Sequence, residues 1–222
     1  MIYRLYPSTE IEVIGKSPQI ETGIFTISYE SDPKSSKRFW YHEADLIKVI
    51  FPEPIVVPQA KLTDYIPCSF MGTRDMPLVY KRLKELFEKT AYHKIQFIPA
   101  IIWHKNEQVK DYYFMNNYEP SYELIDFNLT EVYWNVSQHH KLYNKKIEIN
   151  NIDEFLEIEK SLKPPIGLKM KNIEFKETNN IDFFFLRWVY GGNGYFISEK
   201  LKKVIEEKGF SGMQFKRVNE VL

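Results

Sequence analysis

The apolar positions between residues 183 and 197 form two runs separated by a glycine-rich turn. Residues 183–190 are almost wholly apolar and aromatic, and a shorter run follows at 195–197. The Gly-Gly-Asn-Gly sequence at 191–194 is typical of tight turns, because glycine adopts the positive φ angles that such turns need. The pattern therefore predicts a β-hairpin.

A helix and a further strand are predicted to follow this hairpin. Ser198 stands at an N-cap position, where its hydroxyl can accept a hydrogen bond from a backbone N–H. Gly209 supplies the left-handed residue that commonly ends a helix. Residues 211–218 then alternate between apolar and polar side chains, as a half-buried strand does. The apolar positions at helical spacing are Leu201, Val204 and Ile205.

A similar pattern occurs 118 residues earlier in the chain, the distance between Leu78 and Phe196. We therefore predict that residues 78–100 and 196–218 form two related helix-then-strand units. Because the counterpart of the capping Ser198 is Tyr80, we expect the first helix to begin earlier, within a helix predicted over 75–89. The matching pairs are Leu83 and Leu201, Leu86 and Val204, Phe87 and Ile205, Gln96 and Gln214, and Phe97 and Phe215.

The remainder of the chain adds short strands and one more helix. Within the first 60 residues, alternation at 11–14 and 23–29 predicts short strands between polar loops. Asn151 followed by Glu154 is the pattern of a capping box and predicts a helix that ends before Pro164.

These elements indicate an α+β fold with mixed or antiparallel sheets and few short helices. We expect an N-terminal α+β lobe at residues 1–105 and a C-terminal α+β lobe at 106–222, with one continuous domain as the alternative. At 222 residues, either arrangement is long enough to bury a substantial core.

The composition limits the classes of partner. Thirty basic and thirty acidic residues leave no net charge, which removes the global electrostatic attraction to nucleic acid or to an anionic membrane. The N-terminal stretch lacks the pattern of a signal peptide, and no run approaches the ~18 apolar residues of a membrane span. We therefore expect a cytoplasmic protein with no nucleic-acid and no membrane partner. A single cysteine, Cys68, rules out an intramolecular disulfide.

Residues 111–137 interleave carboxylates with aromatic side chains and contain no lysine or arginine. If exposed, such a surface would suit a basic protein partner, because tyrosines anchor interfaces and carboxylates steer a positively charged surface. The alternative is that the aromatic side chains are core and the acids form a solvated face. The candidate contact residues are Asp111, Tyr112, Tyr113, Tyr118, Glu119, Tyr122, Glu123, Asp126 and Glu131.

Candidate catalytic chemistry is weak in this sequence. The Glu-x-Lys triplet at 174–176 occurs in metal-dependent nucleases, but alternating charge on a strand surface produces the same triplet. The five histidines show no metal-ligand spacing, and the glycine-rich turn lacks the Lys-Ser/Thr of a phosphate loop. We therefore predict no metal, no organic cofactor and no catalytic turnover.

One set of residues spread over about 60–218 matches the pattern of a known family. These residues are Leu62, Asp64, Leu83, the run Gln96-Phe97-Ile98-Pro99, Tyr112, Tyr113, Asn116, Asp126, Phe185, Leu186, Arg187, Ile197, Ser198, Glu199, Leu201, Lys202, Ile205, Gly209, Phe210, Gly212 and Phe215. Through them the chain resembles an immunity-protein family of bacterial polymorphic toxin systems, formerly a domain of unknown function. The resemblance implies an inhibitory protein that binds a cognate toxin domain by direct contact. The alternative from another class is an enzyme of unrecognised type with an active site between two lobes.

Overall fold

The computed structural model describes residues 1–28, 31–36, 43–45, 48–68, 76–163, 165–177 and 180–218. Within these ranges the chain forms thirteen strands and four α-helices. The strands are β1 (Ile2–Pro7), β2 (Ile20–Ile24), β3 (Glu53–Val56), β4 (Tyr65–Ile66), β5 (Leu78–Tyr80), β6 (Ile95–His104), β7 (Glu107–Asn117), β8 (Glu131–Asn135), β9 (Lys146–Ile147), β10 (Gly167–Lys171), β11 (Phe183–Val189), β12 (Gly192–Ser198) and β13 (Met213–Arg217). The helices are α1 (Ile11–Ile14), α2 (Lys81–Thr90), α3 (Ile152–Ser161) and α4 (Glu199–Glu207).

The strands form two mixed sheets. One has seven strands in the order β13-β1-β12-β11-β10-β8-β9, and the other has six in the order β2-β3-β6-β7-β5-β4. Among the described strands, only the pairs β10–β11 and β3–β6 are parallel. The predicted fold class, α+β with few short helices, is confirmed.

The two sheets do not follow the division into residues 1–105 and 106–222. That boundary falls in the turn of the β6–β7 hairpin, where Lys105 and Asn106 both have positive φ angles. Moreover, β1 lies in the seven-stranded sheet between β12 and β13, so the N-terminal strand belongs to the sheet of the C-terminal half.

Local sequence signals located some elements well. The predicted hairpin is formed by β11 and β12. The Ser198 hydroxyl accepts a hydrogen bond from the Leu201 N–H at the start of α4, and Asn151 accepts one from the Glu154 N–H at the start of α3. Both predicted caps are therefore confirmed.

Two local predictions are wrong. The segment predicted as a strand at 11–14 is the short helix α1, which ends at Gly15 with φ 76°. The helix predicted over 75–89 does not start earlier than its counterpart, because the residues before Lys81 pair with β7 as strand β5. Asp75, the first residue of the predicted helix, lies outside the described residues.

The 118-residue offset corresponds to a repeated unit in the structure. We call β4, β5, α2, β6 and β7 repeat 1, and β11, β12, α4, β13 and β1 repeat 2. Helices α2 and α4 begin at equivalent positions, and so do β6 and β13. In each repeat one antiparallel strand lies between the strand before the helix and the strand after it: β7 in repeat 1 and β1 in repeat 2.

The strand registers of the two repeats agree on both sides of this central strand. Phe114 of β7 lies opposite Leu78 and Ile98. Arg4 of β1 lies opposite Phe196 and Lys216, which are the equivalents of Leu78 and Ile98. The outer pairs agree as well, since Tyr65↔Val79 corresponds to Phe183↔Ile197. The two repeats therefore share one topology with one register.

A central core joins the two repeats. Leu83 and Phe87 of α2 are fully buried, as are their equivalents on α4. Leu86 and Val204, which were also predicted to be buried, are half-buried. The buried members of this core are Leu5, Tyr65, Val79, Leu83, Phe87, Met115, Phe183, Phe185, Tyr195, Ile197, Leu201 and Ile205.

Candidate protein-binding surface

Two of the predicted contact tyrosines are core residues. The hydroxyl of Tyr112 donates to the Thr63 carbonyl at 2.8 Å, and that of Tyr122 donates to Glu159 Oε1 at 2.9 Å. Burial raises the pKa of Tyr112, and the nearby Asp64 and Tyr80 raise it further, so this phenol remains a protonated donor. The prediction that Tyr112 and Tyr122 contact a partner is therefore wrong, because neither ring is accessible.

The other two tyrosines are half-buried. The Tyr113 ring lies 5.2 Å from the Lys84 ammonium, which covers part of it. Tyr118 follows β7, and its backbone carbonyl accepts a hydrogen bond from Arg187 at 2.7 Å. Partial burial raises the pKa of Tyr118, as do the negative charges of Glu43 and Glu119. Tyr113 and Tyr118 are thus the members of the predicted tyrosine set with accessible ring surface.

The five predicted carboxylates lie on different elements. Asp111 is exposed on β7 at a positive φ of 69°, where the β6–β7 register shifts. Glu119 is exposed and lies 3.8 Å from the Lys94 ammonium. Glu123 is exposed on the 3₁₀-helix Tyr122–Leu124. These three carboxylates are the solvated members of the predicted surface.

The remaining two carboxylates have structural partners. Asp126 Oδ1 accepts a hydrogen bond from the Asn128 N–H at 3.0 Å within a turn. Burial alone would raise the pKa of Glu131, but hydrogen bonds from Lys146, Asn172 and Tyr133 lower it. Both side chains hold neighbouring segments in place, so less of their charge faces a partner.

Residues that carry the family resemblance build the contact between the repeats. Asp64 accepts hydrogen bonds from Arg82 and from both the N–H and the hydroxyl of Ser211. Gly212 has φ +89°, and a Cβ at this position would lie 2.2 Å from the Tyr65 carbonyl oxygen. The helix-exit loop of repeat 2 is therefore fixed against the first strand of repeat 1.

The reciprocal contact exists on the other side. The Tyr92 N–H, in the loop after α2, donates to the carbonyl of the strand residue Phe183 at 2.8 Å. In the first contact the direction is reversed, since the strand residue Tyr65 donates its N–H to the carbonyl of the loop residue Ser211 at 3.2 Å. Composition and periodicity did not indicate either contact. Asp64 and Gly212 are among the residues that carry the resemblance, but the resemblance assigned no role to them. Their role in joining the repeats follows only from the position of β4 beside the loop after α4.

The Glu174 and Lys176 side chains of the Glu-x-Lys triplet are exposed, and neighbouring segments hold the backbone between them. The backbone of Glu174 bonds to Thr130 and to Asp126, and Phe175 forms a bridge with Ile125. Cys68 is buried, and burial raises the pKa of its thiol. Over the described ranges, no group of three or more His, Cys, Asp and Glu side chains is placed to hold a metal ion.

The space between the two repeats is occupied by side chains. Phe87 of α2 stacks on Phe183 of β11 with ring centroids 4.2 Å apart, and Phe183 in turn stacks on Tyr195. The central core therefore fills the space between the repeats. The enzyme alternative placed its active site between lobes at 1–105 and 106–222, which are not the two repeats, so that alternative stays a prediction.

No protein-family model matches the chain, and neither does any curated protein. None of the helices in the described part of the chain combines the length and the apolar character needed to cross a membrane.

Proposed function

We propose that this chain is an immunity protein that binds and neutralises a cognate bacterial toxin domain by direct protein–protein contact. The observation that carries the proposal is the coherence of the residues that resemble the family. Asp64, Ser198 and Gly212 hold the joint between the repeats or the start of α4. The residues shared with the family therefore stabilise the fold. The exposed residues are not needed for that role, so they can differ to match a particular partner.

The contact surface in this proposal consists of Asp111, Glu119 and Glu123, with Tyr113 and Tyr118 as aromatic anchors. Because the whole chain has no net charge, attraction to a basic toxin must come from such a local excess of acid. Carboxylates at the rim of an interface mainly raise the association rate, whereas aromatic anchors slow dissociation. The proposal extends to a cytoplasmic location and to an inhibitor that works without a cofactor or turnover of its own.

The decisive experiment is a search of the neighbouring genes for a secreted toxin domain, followed by co-expression of the chain with that domain. We expect the chain to restore growth of cells that produce the toxin, and to form a stable complex with the purified toxin domain. Loss of both protection and complex formation would overturn the proposal. Protection without a complex would overturn direct contact as its mechanism.

A double variant that reverses two charges tests whether the acidic residues after β7 contact the toxin. The double variant Glu119→Lys, Glu123→Lys should slow association and flatten its dependence on salt, because both side chains are exposed. The matched control is Glu85→Lys, Glu157→Lys, which reverses two exposed acids on α2 and α3. Equal association rates for both double variants would remove this surface while leaving toxin neutralisation intact as a hypothesis.

A further inference from the structure

A groove of about 610 Å³ lies over β1 and β13 of repeat 2 and extends to the end of β10, outside the repeat. Four cationic side chains line it, and none of the lining residues that the structure describes carries a carboxylate. Aromatic rings lie beside the charges: the Arg4 guanidinium is 4.8 Å from the Tyr6 ring centroid, and the Lys171 ammonium is 5.4 Å from that of Tyr190. The four cations are Arg4, Lys171, Lys216 and Arg217.

The equivalent place on repeat 1 is filled by the chain itself. There the cross-strand pair Ile98 and Phe114 is buried, and Phe51 stacks on Phe114 with ring centroids 5.3 Å apart. Ala44 packs in the same cluster. The equivalent cross-strand pair on repeat 2 is Lys216 and Arg4, so two cations occupy the positions that two apolar residues hold in repeat 1.

In repeat 1 the side chain of Gln96 holds the backbone of Ala44, one of the residues that cover this face of the sheet. The Gln96 side-chain amide donates to the Ala44 carbonyl at 2.8 Å, and its oxygen accepts from the Ala44 N–H at 2.9 Å. Its equivalent on β13 is Gln214, which lies opposite Tyr6. Because strand side chains alternate between faces, Gln214 is on the same face as Lys216 and Arg4. The residue that holds a peptide backbone in repeat 1 thus has a counterpart on the same sheet face of repeat 2, opposite the groove residue Tyr6.

The position of the Arg4 charge in the groove is set by hydrogen bonds to the chain itself. The Arg4 guanidinium donates to the carbonyl oxygens of Tyr190 at 2.5 Å and Asn193 at 3.0 Å. Its Nε is buried and has no hydrogen-bond partner within the described part of the chain. Directly opposite it stands Lys216, and like charges in such a cross-strand position repel each other. An anionic occupant would offset this repulsion.

We propose that this groove binds an extended acidic peptide segment of another protein. In this arrangement Gln214 holds one peptide unit of the segment as Gln96 holds Ala44, and carboxylates on the segment face Arg4, Lys216 and Lys171. A peptide is favoured over nucleic acid because the equivalent place on repeat 1 is occupied by polypeptide held through its backbone. The inference does not rest on the proposed function, since it concerns the chemistry of the segment and not the protein that supplies it.

The test uses the full chain and three labelled probes of equal length. These are a peptide that alternates glutamate and alanine, the same peptide with glutamine in place of glutamate, and an oligothymidylate. Fluorescence anisotropy at low salt should show that the acidic peptide binds, that the neutral peptide binds at least about tenfold more weakly, and that binding weakens as salt rises. Absence of acidic-peptide binding, or tighter binding of the oligothymidylate, overturns the proposal.

Variants locate the binding. Lys216→Glu should weaken acidic-peptide binding about tenfold or more, and Gln214→Ala should weaken it about threefold to tenfold through the lost backbone contacts. The matched control is Lys81→Glu on α2, which also reverses an exposed lysine and should leave the affinity unchanged. Because Lys216 is exposed and its reversal replaces the repulsion of Arg4 by an attraction, the melting temperature should not fall, which separates lost binding from lost folding. Equal weakening by Lys81→Glu and Lys216→Glu would show unspecific attraction and overturn the site.

Discussion

Lys84 and Lys202 are held in the same surroundings, although 118 residues separate them. Each donates to a glutamate one helical turn further on, Glu88 or Glu206, at 2.6 Å. Each ammonium also lies over two aromatic rings at equivalent positions. The rings are Phe97 and Tyr113 for Lys84, and Phe215 and Tyr3 for Lys202. The repeat thus extends from backbone register to the environment of single side chains.

We expect Lys84→Ala and Lys202→Ala to lower the free energy of unfolding by similar amounts, about 1 kcal/mol or less each. The reason is that both variants lose the same helix ion pair and the same ring contacts. Urea unfolding of the two single variants measures this. A substantial loss for one and none for the other would show that the shared geometry does not reflect shared energetics.

The contact between the repeats depends on a glycine. Gly212→Ala places a methyl group against the Tyr65 carbonyl oxygen at a positive φ, so we expect a loss of about 2–4 kcal/mol in unfolding free energy. The control is Gly209→Ala, which has φ +61° but nothing within 4 Å of its Cβ position. This control should cost only about 1 kcal/mol. Equal losses in thermal unfolding would remove the close approach to Tyr65 as the cause.

Local signals explain why some of the fold was predictable. Ser198, Asn151 and Gly209 act through hydrogen bonds or φ angles within one helical turn, so a pattern of a few residues suffices to locate them. The start of α2 has no such signal, since Tyr80 is an N-cap residue without a side-chain hydrogen bond. Its position is set by pairing of β5 with the distant β7.

The candidate site was harder to predict for the same reason. Burial of Tyr112 and Tyr122 depends on Thr63 and Glu159, which are far away in sequence. The groove on repeat 2 exists because β1 inserts between β12 and β13. The pairing of β1 with β13 cannot be predicted from local periodicity, because the two strands lie at opposite ends of the chain.

Asp64 makes a buried polar contact between the repeats through Ser211. Its buried carboxylate accepts from Arg82 Nη2 at 2.6 Å and from the Ser211 N–H at 2.8 Å. We expect Asp64→Ala to cost about 2–4 kcal/mol, because the Ser211 N–H loses its partner and Arg82 loses its counter-ion.

The equivalent carboxylate provides the control for this prediction. Asp182 pairs with Lys200, whose side chain is 79% exposed, and also accepts from the Ser198 hydroxyl at 2.6 Å. Because an exposed ion pair contributes little, Asp182→Ala should cost less than Asp64→Ala in urea unfolding. The reverse order would contradict the role assigned to Asp64.

His93 should make the stability depend on pH. Burial lowers the pKa of His93, and the hydrogen bond to Asn117 and the charge of Glu119 offset only part of this effect. The unfolded imidazole has its ordinary pKa of 6.5, so below that pH the unfolded chain binds this proton more readily than the folded protein does. The stability that neutral His93 contributes is therefore complete above pH 6.5 and is lost as the pH falls from there toward the lower folded pKa.

A second group acts in the same direction at lower pH. Burial would raise the pKa of Asp182, but hydrogen bonds from Ser198 and Lys200 lower it, so its contribution to the stability is lost in more acidic solution.

Comparison of the wild type with His93→Asn in urea, from about pH 8 to about pH 5, isolates the contribution of the histidine. We expect a smaller decline in the variant. Parallel curves would show that His93 does not contribute.

Substitutions at Tyr118 and Tyr112 distinguish an effect on toxin binding from an effect on stability. In Tyr118→Ala the half-exposed ring is lost, so we expect faster dissociation from the toxin domain at a cost of about 2 kcal/mol or more in binding, with little change in melting temperature. Tyr112→Phe removes the hydroxyl that donates to Thr63, so we expect about 1 kcal/mol less stability and unchanged binding kinetics. Surface plasmon resonance and thermal unfolding on both variants measure the two effects. If Tyr118→Ala lowers the melting temperature and leaves dissociation unchanged, Tyr118 is part of the core packing, and the contact surface loses its aromatic anchor.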